Sequence, residues 1–150
     1  MKIISLLFVF LIALTSYADL KGDWIGWGTW KFKGEGDGVQ CSPMQMTWSE
    51  SATEIAIEKG NFECEVVAMI LGRTAWTLKD GKLFDELNVE VGKYNGKDHF
   101  EVYMPSPNNR TQIYLSVRRA ANHIDYQEIW FNTDEKVYVI EGRLFTSGNK

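Results

Sequence analysis

Glu128 carries more chemistry than any other side chain in this sequence, and its surroundings leave it no obvious place. It stands in Tyr126-Gln127-Glu128-Ile129-Trp130. Alternate residues of a strand share a face, so Glu128 shares one with Tyr126 and Trp130. The loop Asn132-Thr133-Asp134-Glu135 turns the chain back towards Tyr138. A hairpin that pairs Trp130 with Tyr138 also pairs Glu128 with Ile140, Tyr126 with Gly142 and Ile124 with Leu144. Its other face pairs Asp125 with Arg143, an ion pair worth little at a surface. Glu128 then points inward among apolar groups, where a bare charge is costly. It must be protonated, paired or beside an open mouth. The expectation is a carboxyl that anchors the polar or basic end of a ligand, with Tyr126 or Tyr138 as a second hydrogen-bonding group. A one-residue bulge would instead turn Glu128 to solvent, and the sequence leaves both arrangements open.

The remaining reactive residues point away from catalysis. Cys41 and Cys64 are the two cysteines. In an oxidising compartment an even count favours a disulfide, while two buried free thiols are the other arrangement. Two cysteines and two distant histidines, His99 and His123, do not make a metal set, so no metal is expected. There is no Gly-x-Ser-x-Gly and no His-Glu-x-x-His. Asp85-Glu86 reads as a solvated strand edge. Lys33-Gly34-Glu35-Gly36-Asp37-Gly38 alternates glycines but lacks the Lys-Ser/Thr and the downstream helix of a phosphate loop, so a rim hairpin is expected. Asn109-Arg110-Thr111 has the form of a glycosylation sequon, which matters only in a eukaryotic secretory pathway. No enzyme chemistry is expected.

The chain beyond its first eighteen residues must position these groups. Lys2, the apolar run Ile3–Leu14 and the small residues of Ser16-Tyr17-Ala18 form a secretory signal, too short to span a bilayer. The expected organisation is a signal peptide over 1–18 and one domain over 19–150, exported to the periplasm or the exterior. The full chain carries 16 basic and 20 acidic residues for a net charge of −4, and loss of Lys2 makes it −5. That balance excludes nucleic acid and anionic membrane as expected partners.

The domain opens on Gly22-Asp23-Trp24-Ile25-Gly26-Trp27-Gly28-Thr29-Trp30. Glycine inside a strand marks a bend or a close backbone approach, and the large aromatics suit a strand curling round a core. Beyond it the period is two, from Met44-x-Met46-x-Trp48 to the last hairpin. Turns are expected at Lys59-Gly60-Asn61, at Asp80-Gly81, a strong hairpin signal, and at Asn95-Gly96. Apolar alternation assigns Phe62, Cys64, Val66, Ala68 and Ile70 to one strand and Leu87, Val89 and Val91 to another. About 8–10 short strands with tight turns and no helix predict an all-β, up-and-down antiparallel barrel. The opposite faces carry Glu54, Glu58, Glu63, Glu65, Glu86, Glu90 and Glu101, too much charge for lipid contact. The barrel is therefore not expected to be membrane-embedded.

The inward set is Trp30, Met44, Met46, Trp48, Trp76, Phe100, Met104, Tyr126, Trp130 and Tyr138. A small barrel is either filled by such side chains or holds one small ligand. Gly26, Gly28, Ala68 and Gly142 leave room for a ligand, and methionines with aromatics suit an apolar pocket. In the filled case the protein would act through its outside. The hairpin register places Ile129, Phe131, Val137 and Val139 on the outer wall as an apolar patch, suited to a homodimer or a protein partner.

Gly22-x-Trp24 at the start of a secreted meander barrel resembles the lipocalins and the wider calycin group. The resemblance implies a cup for a small apolar or amphipathic molecule. It also implies that Trp24 closes the barrel floor under a basic residue of the last strand, which here would be Arg143. The longer pattern Gly22-x-Trp24-x-Gly26-x-Gly28 is similar to the opening of nitrobindin-like barrels, which have ten strands and bind haem. Those carry a Pro soon after the last Gly and an axial His near the C-terminus. This chain has Lys31-Phe32-Lys33 and no His after His123. Haem is thus a secondary expectation that would need His123 to face inward.

Overall fold

The computed structural model describes residues 20–33, 36–106, 110–133 and 135–148. The expected signal segment, and Asn109 of the sequon, lie outside the described residues. The described residues form eleven strands: β1 (Gly22–Phe32), β2 (Val39–Glu50), β3 (Glu54–Cys64), β4 (Ala68–Leu71), β5 (Thr74–Lys79), β6 (Lys82–Phe84), β7 (Glu90–Tyr94), β8 (His99–Pro105), β9 (Gln112–Arg119), β10 (His123–Asn132) and β11 (Glu135–Thr146). Neighbours along the barrel wall pair antiparallel, and β11 returns to pair with β1. The result is the expected all-β meander barrel, closed by ten strands with β4 as an extra segment.

That extra segment is half of an interrupted strand. Glu63 faces Ala68 and Gly60 faces Leu71 along β4, while Ile57 faces Thr74 and Glu54 faces Thr77 along β5. Both halves keep one register against β3 and are separated by Gly72-Arg73. Arg73 leaves the ladder to bond the carboxylates of Glu54 at 2.7 Å and Glu58 at 3.1 Å on the outer face of β3.

Two turns differ from expectation. The chain does not turn at Lys59-Gly60-Asn61, since β3 runs through Gly60 to Cys64 and turns at Glu65-Val66-Val67. A Cβ at Gly60 would come within 2.8 Å of the Leu71 side chain; glycine there serves close strand approach. The three-residue turn flips the alternation, so Met69 and Leu71 face inward and Ile70 is 84% exposed. Leu87 and Val89 are not in a strand either. The Asp85 carboxylate accepts the backbone N–H groups of Leu87 at 3.0 Å and Val89 at 2.8 Å. Those amides are used locally, which leaves Leu87 78% exposed and starts β7 at Glu90. Asp80-Gly81 is the expected tight hairpin, with φ of 51° and 76°.

The inner side of one barrel end is filled. Trp48, Trp76 and Tyr94 pack edge-on round Phe100 at centroid distances of 5.3, 5.1 and 6.3 Å. Met44 lies between Gly28 and Gly142, where an added Cβ on either would come within 2.6 Å of its sulfur. The room those glycines leave is therefore taken by Met44. Cys41 and Cys64 form a disulfide across β2 and β3.

The outer wall differs from the expected apolar patch. Ile129 is 9% and Val139 5% exposed, and Phe131 and Val137 are half-buried. One row across the strands reads Lys31, Val139, Ile129, Tyr114, Tyr103. The long side chains at either end of that row flank the two branched ones at its centre. Trp27 is exposed on the outer wall and packs on Phe145.

Candidate functional site

The barrel floor is sealed around Trp24. Its indole N–H donates to the Leu20 carbonyl at 2.8 Å, and the Glu50 carboxylate accepts the Leu20 amide at 3.0 Å and the Tyr94 hydroxyl at 2.9 Å. The cation over the Trp24 ring is Arg119, at the end of β9, with its guanidinium carbon 5.2 Å from the ring centroid. Arg143 does not take that place. It faces outward opposite Trp27 and bonds Asp125 at 2.8 Å, the ion pair that the hairpin register predicts. The parity of the last strand forces this, because Gly142 and Leu144 face inward and Arg143 lies between them.

Above this filled half the interior opens. A cavity of about 450 Å³ is bounded by Trp76, Tyr126, Glu128, Trp130 and Tyr138, together with Met104, Ile113, Leu115, Ile57 and the β4–β5 segment. The wall beside it is incomplete. β8 pairs with β9 as far as Pro105 but with β7 only over Phe100–Val102, and β5 pairs with β6 only from Thr77 onward. Among the described residues, no strand covers the free edges of β4 and of Tyr103–Pro105. The cavity takes lining residues from both sides of that break, Met69 to Gly72 with Thr74 on one and Met104 and Ile113 on the other. The rim carries the exposed apolar side chain of Ile70.

Glu128 faces this cavity, opposite Leu115 and Ile140, and is 5% exposed. The bulge in the last hairpin lies beyond it, between Trp130 and Phe131, so Glu128 stays on the inner face. Its neighbours two residues either way supply its partners: the Tyr126 hydroxyl donates to Oε2 and the Trp130 indole N–H to Oε1. Trp130 stacks on Tyr138 with centroids 4.8 Å apart, and Trp30 packs edge-on against Tyr138 from behind at 6.1 Å. Burial pushes the Glu128 carboxyl above the ordinary carboxylate range, and the two donated hydrogen bonds oppose that shift. Burial, then the neighbouring Glu128 charge, pushes the Tyr126 and Tyr138 hydroxyls upward. Both are hydrogen-bond donors at neutral pH. Among the described residues lining the cavity, Glu128 is the sole charged side chain.

Trp76, Met104, Tyr126, Trp130 and Tyr138 of the expected inward set therefore come together here with Glu128. Trp30 supports Tyr138, whereas Met44, Met46, Trp48 and Phe100 belong to the filled half. Met69 and Leu71 enter the lining through the flipped parity of the interrupted strand, which alternation through Val66 could not reveal, and Thr74 shares the inner face of Trp76. His123 lies on the outer face, opposite Phe145, with its Nδ1 2.9 Å from Asn122 Oδ1. It does not point at the cavity, and His99 faces outward opposite Arg118. No protein-family model matches the chain, and no curated protein matches its sequence. The likeness to calycins therefore stands on the closed meander barrel and its Trp-sealed floor.

Proposed function

We propose that the protein is a lipocalin-type container, exported from the cell, that holds one small apolar or amphipathic molecule in the open half of its barrel. The observation that carries this reading is the cavity itself. At about 450 Å³ it exceeds the roughly 300 Å³ from which ligand pockets begin. It is walled by aromatic and aliphatic side chains, closed below by the Trp24 floor and open at one break in the wall. A fully packed interior would have favoured a protein acting through its outer surface, and only one half of this barrel is packed. The Cys41–Cys64 disulfide is compatible with export, since such bonds persist in oxidising compartments.

Trp76 and Trp130 line the cavity, so their fluorescence reports its occupancy. Titration with the neutral fluorophore N-phenyl-1-naphthylamine should give saturable binding at one molecule per chain, with energy transfer from tryptophan. Leu115→Trp, which fills the cavity opposite Glu128, should abolish it. Binding that is absent, or unaffected by Leu115→Trp, refutes the container.

A further inference from the structure

We propose that the molecule this cavity selects is a hydrophobic amine whose ammonium group pairs with Glu128. The inference rests on the reading of the cavity as a ligand site, and it specifies the ligand's charge. Three observations carry it. First, the Glu128 carboxyl is 5% exposed and, among the described residues, no basic side chain lines the cavity with it. A buried carboxylate lacking a countercharge is costly, and a ligand cation supplies what the lining omits. Second, the protein satisfies only part of the carboxyl. A carboxylate offers about four acceptor sites; Tyr126 and Trp130 each donate once, both from the strand that carries Glu128. Sites remain for an ammonium, which brings up to three donors. Third, the stacked Trp130–Tyr138 pair lies beside Glu128 on the same wall. Aromatic faces attract cations, so a charged nitrogen gains from both neighbours while its hydrocarbon part fills the apolar remainder.

The same arrangement rejects acids. A fatty acid or phosphate ester entering head-first would set one anion against another in a poorly solvated space, with no arginine, lysine or histidine among the described lining residues to receive it. An alcohol of equal length meets no such penalty and gains no ion pair. The order of preference is amine, then alcohol, then acid.

Calorimetric titration of the full chain with dodecylamine, dodecan-1-ol and dodecanoic acid, each below its micellar concentration at pH 7, separates the charge from the chain. Dodecylamine should bind about tenfold or more tightly than dodecan-1-ol, and dodecanoic acid least. In Glu128→Gln, which keeps an acceptor for Trp130 and an amide for Tyr126, the amine preference should disappear while dodecan-1-ol binds as before. Because the amine–alcohol comparison is made on the wild-type chain, it stands even if the variant folds poorly. Equal binding of amine and alcohol, or an amine preference that survives in a folded Glu128→Gln, overturns this inference and leaves the container intact. Failure of all three to bind overturns both.

Discussion

Removing the Cys41–Cys64 disulfide should cost the barrel about 3.4 kcal/mol. The bond spans 23 residues of sequence, and loop-closure entropy for a loop of that length gives this figure at 25 °C. It is a large fraction of the roughly 5–15 kcal/mol by which a typical domain is stable. At the unfolding entropy usual for a chain of this size the melting temperature should fall by about 12 °C. The loss should not be spread evenly. Next to the bond, the Cys64 amide donates to the Val67 carbonyl at 2.9 Å and the Glu65 amide to the Gln40 carbonyl at 3.0 Å. These contacts hold the turn into β4, whose Met69 and Leu71 line the cavity. Differential scanning calorimetry of a C41A/C64A chain beside the oxidised wild type measures the total, and amide hydrogen exchange locates it. Protection should fall first in β4 and the 65–67 turn, and last around Trp24. A drop of less than about 4 °C, or loss of protection starting at the floor, would contradict this role of the bond.

The floor makes a second prediction: Arg119→Ala should destabilise by about 1 kcal/mol through loss of the cation over Trp24, whereas Arg143→Ala, which breaks only an exposed pair with Asp125, should stay within about 0.5 kcal/mol. Urea midpoints of the two variants compare them directly, and equal losses would return the floor role to the last strand. A third concerns pH. Burial raises the folded-state pKa of Glu128 above its ordinary 4.5, so between those two values the folded chain binds more protons than the unfolded one, and stability falls as pH rises through that window. The difference in stability between wild type and Glu128→Gln should therefore shift against the wild type as pH rises from 4.5; a flat difference contradicts a buried, unneutralised carboxyl.

Where the sequence was legible, the reason was parity. In the last hairpin a single pairing, Trp130 opposite Tyr138, determines every other down to Ile124 with Leu144, because the turn is short and the strands run without a bulge between those pairs. That register placed Glu128 inside and Asp125 beside Arg143. Where parity breaks, legibility ends. The turn at residues 65–67 contains an odd number of residues, so Met69 and Leu71 exchanged faces with Ala68 and Ile70. Asp85 drew two backbone amides into a turn and removed Leu87 and Val89 from the ladder despite their strand-like alternation. The floor cation was missed for another reason. Arg119 meets Trp24 only through the closure of the barrel, a contact between residues far apart in sequence that no local pattern encodes. The size of the cavity was equally out of reach, since it depends on how Met44 fills the slot between Gly28 and Gly142 and on the unpaired edges of β4 and β8.

The most direct test of the container is native mass spectrometry of the wild-type chain and Leu115→Trp after each is incubated with an extract of lipid-soluble small molecules and desalted. One small molecule should be retained per wild-type chain and none on Leu115→Trp. Both chains bare, or both carrying the same load, would contradict the container.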